Sequence, residues 1–152
     1  MKASKLAVSA FLLTCLYSSC NLRMSTECRE FFSIPLDQQG KVFSGYPLEK
    51  QLTLYRCGLK NRRPPATYLA DYIADRGESA IPSLLQTLEM EKDELFQSGI
   101  VDIFEFMSSK GHLRNKSEAI NRIRLVVARM KISTFKEMAE QNLDKIEKNS
   151  AS

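Results

Sequence analysis

Apolar residues recur at steps of three and four over most of this chain, the repeat of helices that bury one face. From Pro47 to Lys60, Leu48, Leu52, Tyr55 and Leu59 are spaced four, three and four. Pro47 suits a first helical position, and Arg63-Pro64-Pro65 ends the run. Thr67 is the expected cap of a helix carrying Tyr68, Leu69, Tyr72 and Ile73 and closing at Gly77. Ser79 to Met90 repeats the period with Ile81, Leu84, Leu85 and Leu88. A longer, greasier helix follows Glu91-Lys92-Asp93-Glu94, with Leu95, Phe96, Ile100, Ile103, Phe104 and Met107, and Gly111 closes it. Ser117 to Lys131 carries Ile120, Ile123, Val126, Val127 and Met130. Thr134 with Glu137 forms a capping box ahead of Phe135, Met138, Leu143 and Ile146. Between Cys28 and Phe43, Pro35 and Gly40 interrupt the apolar residues, which predicts one or two short helices. No run alternates with period two, so the expected class is all-α, built from stacked antiparallel helical hairpins.

Moving the chain by 39 positions lays Ile81 on Ile120, Leu84 on Ile123, Leu88 on Val127, Phe96 on Phe135, Phe104 on Leu143 and Met107 on Ile146. Leu48 to Lys60 and Thr67 to Asp75 supply a shorter, earlier hairpin. The pattern, and Ile81-Pro82-Ser83-Leu84-Leu85 in particular, resembles HEAT or armadillo repeats, whose period is about 40 to 47 residues. The resemblance implies an α-solenoid. An irregular helical bundle satisfies the same stripes.

The first residues differ in kind. Met1 to Lys5 holds two lysines and no acid, Leu6 to Tyr17 is almost wholly apolar, and Ser18, Ser19 and Cys20 are small. That order belongs to a secretory signal peptide. The apolar run of about a dozen residues falls short of the roughly 20 needed to cross a bilayer. Tyr17-Ser18-Ser19-Cys20-Asn21 resembles the lipobox of bacterial lipoproteins, although Tyr17 stands where an aliphatic residue is usual. The resemblance implies that Cys20 carries lipid as the mature N-terminus; simple secretion with cleavage after Cys20 is the alternative. The expected organisation is a signal peptide at 1–20, a linker at 21–27, one helical domain at 28–148 and a tail at 149–152.

Export decides what the cysteines mean. Cys15 leaves with the signal and Cys20 is lipidated or lost, so Cys28 and Cys57 remain and are expected to bond in an oxidising compartment. Composition is that of a globular protein, 43% hydrophobic and 26% charged. Without Lys2 and Lys5 the balance is 20 basic against 18 acidic residues, a charge of +2, too small and scattered for nucleic acid. Lys60, Arg62 and Arg63, with Arg122 and Arg129 further on, are the candidate patch for an anionic partner; Arg114, Lys116, Arg124 and Lys131 add to the second group. A solvated face is the plainer account of all of them.

No motif points to catalysis, a metal or a cofactor. His112 is the single histidine, and no glycine-rich loop cradles phosphate. Asp71 with Asp75, and Asp102 with Glu105, are carboxylate pairs one turn apart, which acid and base work would need inside a cleft that raises one pKa. Tyr46, Tyr55, Tyr68 and Tyr72 serve either a groove or the core. The expected role is a non-enzymatic envelope lipoprotein, a scaffold or adaptor for another envelope protein. A periplasmic immunity or inhibitor protein is the second expectation, and a cell-wall enzyme the third.

Overall fold

Local signals set where the helices start and stop. The computed structural model describes residues 24–150, which hold eight α-helices, one 3-10 turn and no strand. Cys15 and Cys20 lie outside the described residues. The first two helices, α1 (Thr26–Ser33) and α2 (Leu36–Ser44), are separated by Ile34-Pro35, both extended. Helix α1 begins inside the stretch expected as a linker. The Ser25 hydroxyl caps it, accepting the Cys28 N–H at 3.3 Å. Gly40 does not break α2 as expected. It is buried within the helix, where a Cβ would run into the Tyr72 ring.

Helix α3 (Leu48–Asn61) starts one residue after Pro47, whose extended backbone makes it the cap rather than the first turn. Thr67 is likewise no cap: its N–H reaches the Pro65 carbonyl and its carbonyl receives Ala70, so a turn winds ahead of α4 (Leu69–Ala74). A 3-10 turn, Gly77–Ala80, leads into α5 (Ile81–Met90). Asp93 caps α6 (Glu94–Ser109), accepting the Leu95 N–H at 3.1 Å. At its other end Gly111 takes φ +81°, with Gly111 N–H on Ser108 and His112 N–H on Met107. These two bonds close the helix as glycine at that position does elsewhere.

Helices α7 (Ser117–Arg129) and α8 (Ser133–Ser150) complete the chain. The capping box at Thr134 is not used, since α8 already begins at Ser133. Glu94 of α6 reaches over instead and accepts the N–H groups of Lys131 and Ile132 at 2.7 to 3.0 Å. Helix α8 extends to Ser150, into the stretch expected as a tail.

The helices stack in two layers. Helices α2, α4, α6 and α8 each pack on the next of that series, most extensively α6 on α8, while α7 packs on α5 and α3 on α1. From α4 onward, partners in the first series meet at a steady offset along the chain, whereas Gln39 of α2 meets Tyr68, beside α4, only 29 positions on. Lys110 reaches Asp71, Asn142 reaches Asp102 and the Ser108 hydroxyl reaches the Ile146 carbonyl, 39, 40 and 38 residues apart. The shift that overlays the apolar positions is therefore also the shift that relates successive helices of that row from α4 to α8. Ten of the twelve overlaid residues from Ile81 to Met107 and Ile120 to Ile146 are at most 7% exposed, Ile120 is 8% and Phe135 is partly buried. Ile100, Ile103, Phe104 and Met107, without exposed surface, form the centre of this core. Gly99 lets α3 approach α6 closely, since a Cβ there would lie 2.5 Å from Leu59 Cδ1.

Candidate functional site

Cys28 of α1 and Cys57 of α3 are joined by a disulfide, with their Cα atoms 6.5 Å apart across 29 positions. That spacing is within the ordinary reach of such a bond. No free thiol remains among the described residues to act as a nucleophile. His112 stands instead against Gly77. Among the described residues no three His, Cys, Asp or Glu side chains are grouped to hold a metal ion.

The five basic residues of the candidate patch fall in two sets that no hydrogen bond or ion pair joins among the described residues. Lys60 pairs with Asp93, the Arg62 guanidinium lies 5.4 Å from the Phe32 ring centre, and Arg63 folds back on the Lys60 and Arg62 carbonyls. On α7, Arg122 grips Glu89 with two hydrogen bonds of 2.7 Å, and Arg129 donates to the Leu125 carbonyl at 3.0 Å. Lys116 and Arg124 are spent on Glu78 and Glu147. Four of the nine basic residues of the two groups, Lys60, Lys116, Arg122 and Arg124, thus meet an acid within the fold. What α7 does present is a groove of about 450 Å³ beside α5, lined by Glu89, Arg122, Leu125, Ala128 and Arg129, with Leu125 63% exposed.

The carboxylate pairs have opposite fates. Lys110 takes both Asp71 and Asp75, an exposed cluster. Asp102 and Glu105 line a separate cleft of about 320 Å³ with Phe106 on α6, Thr67 and Tyr68 in the turn before α4, and Asn142 and Lys145 on α8. Asn142 donates to the Asp102 carboxylate at 2.5 Å, and the Lys145 ammonium donates to the Asn142 carbonyl oxygen at 3.1 Å. Burial pushes Asp102 up to about 6, with the Glu105 charge adding to the rise, while Asn142, Lys145 and Tyr55 hold it back. The Tyr55 hydroxyl, buried on α3, donates to the Gly99 carbonyl at 3.1 Å; burial and the Asp102 charge raise its pKa as well.

The four tyrosines divide accordingly. Tyr55 is fully buried, Tyr46 and Tyr72 pack against the core, and Tyr68, 36% exposed, faces the cleft with its hydroxyl on Gln39. The spacing of Asp102 and Glu105 was visible in the sequence. Asn142, Lys145 and Tyr68 were not read as their neighbours: the 39-residue offset leads from Asp102 to the Asn142 region, but which faces of α8 and of the turn before α4 meet there is set by packing.

Compared with models of known protein families, with curated proteins and with solved structures, the chain matches none.

Proposed function

We propose that the chain is an exported protein, held to a membrane by lipid on Cys20, whose helical stack docks another envelope protein and performs no chemistry of its own. The observation that carries the reading is the Cys28–Cys57 bond. Structural disulfides persist in oxidising compartments and are rare in the cytosol. This one ties α1, the first helix after the proposed anchor, to the stack. Among the described residues no helix is long and apolar enough to cross a membrane.

The α5–α7 groove supports docking. Leu125 and Ala128 line it beside Arg122 and Arg129, and Arg129 makes no ion pair with any described residue. Its complement is an apolar segment flanked by carboxylates. Mass spectrometry of protein made in its own envelope tests the anchor: an acylated Cys20 with nothing before it is expected. An unmodified chain starting at Asn21 would overturn lipidation and leave export standing. Capture from envelope extract tests docking, and a partner lost on Leu125→Asp is expected. A toxin or hydrolase captured in that way would make the protein an inhibitor, while a capture insensitive to Leu125→Asp would remove the groove from the reading.

A further inference from the structure

The cleft between α6, α8 and the turn before α4 contains two carboxylates that enter no ion pair among the described residues. Asp102 accepts the Asn142 amide, a neutral donor. Glu105 accepts no hydrogen bond and enters no ion pair with any described residue. Lys145, the one ammonium lining the cleft, is hydrogen-bonded to the Asn142 oxygen rather than to either acid. Elsewhere the acids that bridge helices are met by cations or backbone donors: Glu89 by Arg122, Glu91 by Arg56, Asp93 by Lys60, Asp71 and Asp75 by Lys110, and Glu94 by the Lys131 and Ile132 N–H groups. Withdrawing a carboxylate from water costs stability, and for Asp102 that cost is only partly offset by Asn142, Lys145 and Tyr55.

The walls say what kind of counter-ion fits. Tyr68 and Phe106 give the cleft two aromatic rings, and the bond from the Tyr68 hydroxyl to Gln39 ties that ring to α2. Cations on organic stems favour aromatic faces, and a volume of about 320 Å³ lies at the lower end of ligand clefts. For a bare metal ion, no three His, Cys, Asp or Glu side chains gather here among the described residues. We propose that this cleft binds an organic cation, an alkylammonium or guanidinium group, with Asp102 and Glu105 as counter-ions and Tyr68 and Phe106 against its stem. The cation is either a Lys or Arg side chain of the docked protein, which rests on the role proposed above, or a free amine.

Binding is coupled to protonation. The groups facing Asp102 are Glu105 on its own helix, Tyr55 on α3, Tyr68 ahead of α4, and Asn142 and Lys145 on α8. Asp71 of α4 is turned to Lys110, and Glu89 of α5 to Arg122. A cation beside Asp102 favours its charged form and lowers its titration midpoint. Carbon-13 NMR of the full mature chain, reading the Asp102 carboxyl and the Asn142 side-chain amide, tests this directly. The probes are Nα-acetyl-lysinamide, Nα-acetyl-argininamide and putrescine, each at about 10 mM, where a millimolar site is nearly filled.

At least one probe is expected to lower the Asp102 midpoint by about one pH unit and to bind more weakly below it. Preference for the acetylated residues assigns the cation to a partner's side chain, and preference for putrescine assigns it to a free amine. Asp102→Asn is expected to weaken the best probe about tenfold at neutral pH. Glu105→Gln gives a second, milder loss if that variant does not fold. No response to any probe, or an equal response to Mg²⁺ or Ca²⁺ alone, overturns the proposal without touching the docking role. A partner captured equally well by wild type and Asp102→Asn, with the NMR response intact, excludes the partner's side chain as the source and leaves the amine.

Discussion

The two ends of this stack reach stability by different means. From α5 to α8 the helices run 10 to 18 residues, repeat at an offset near 39, and bury apolar positions on both sides of each layer. The first part has α1 and α2, of eight and nine residues, shorter than an isolated helix needs in water. It is held by other devices. Phe31 packs on Phe43 with ring centres 5.7 Å apart, and Phe43 on Tyr72 at 6.4 Å. Buried Gln51 donates to the Phe43 carbonyl at 2.8 Å and accepts from Arg76 at 2.6 Å. The disulfide then ties α1 to α3. Where helices are long and regular, side-chain burial suffices; where Pro35 cuts the chain short, covalent and polar ties replace it.

The largest effect should come from the regular end. Phe104 has no exposed surface and sits among Ile100, Ile103 and Met107, so Phe104→Ala should cost about 3 to 5 kcal/mol in denaturant unfolding. A loss below about 1 kcal/mol would break the claim that this layer is the centre of the core. Removing the disulfide should follow closely. Cys28→Ser with Cys57→Ser frees a span of 29 positions, about 3 to 4 kcal/mol by loop entropy. The comparison is sharpened by where protection is lost: hydrogen exchange should speed up in α1 and α2 and remain slow in α6 and α8. Uniform loss across all helices would show that the two ends do not differ in kind.

A third measurement concerns the cleft in the regular end. Asp102 has a raised pKa in the fold, so the native state holds the proton over a range where the unfolded chain has lost it. Stability from this group therefore falls as pH rises from about 4 through about 6, and remains lowered above that. Asp102→Asn should be more stable than wild type at neutral pH by about 1 to 3 kcal/mol, from a shift of roughly two units. The gap should close below about pH 4, as seen in melting temperatures taken across the range. A gap independent of pH would mean that the carboxyl is not desolvated.

The smallest effects are at the caps. Asp93→Ala removes the side-chain acceptor of the Leu95 N–H and the partner of Lys60, and should cost about 1 kcal/mol. Ser25→Ala removes the corresponding bond to Cys28, a residue the disulfide already restrains, so its cost should be the lower of the two. Equal costs by thermal unfolding would show that the disulfide adds nothing to the order of the first turn.

The spacing of apolar residues was enough to assign the helical class, the stripes from Leu48 to Ile146 apart from the exposed Tyr68 and Met138, and the 39-residue offset, because burial of one helix face is written in the residues of that helix alone. The oxidised cysteine pair was legible for a similar reason: once Cys15 and Cys20 are set aside, only Cys28 and Cys57 remain. Other features belong to the tertiary structure. Gly40 reads locally as a breaker, yet Tyr72 needs the space that a Cβ would fill. Thr134 reads as a cap, yet α8 already begins at Ser133, and Glu94 from another helix holds the Lys131 and Ile132 N–H groups just ahead of it. Lys60 and Arg122 read as open charge, yet Asp93 and Glu89 neutralise them. Asp102 and Glu105 read as a surface pair, one of many. Only the approach of α8, some 40 residues away in sequence, places Asn142 and Lys145 beside them and leaves Asp102 partly buried. Solvation and charge pairing depend on which helices become neighbours, and that is decided by the packing of the whole stack.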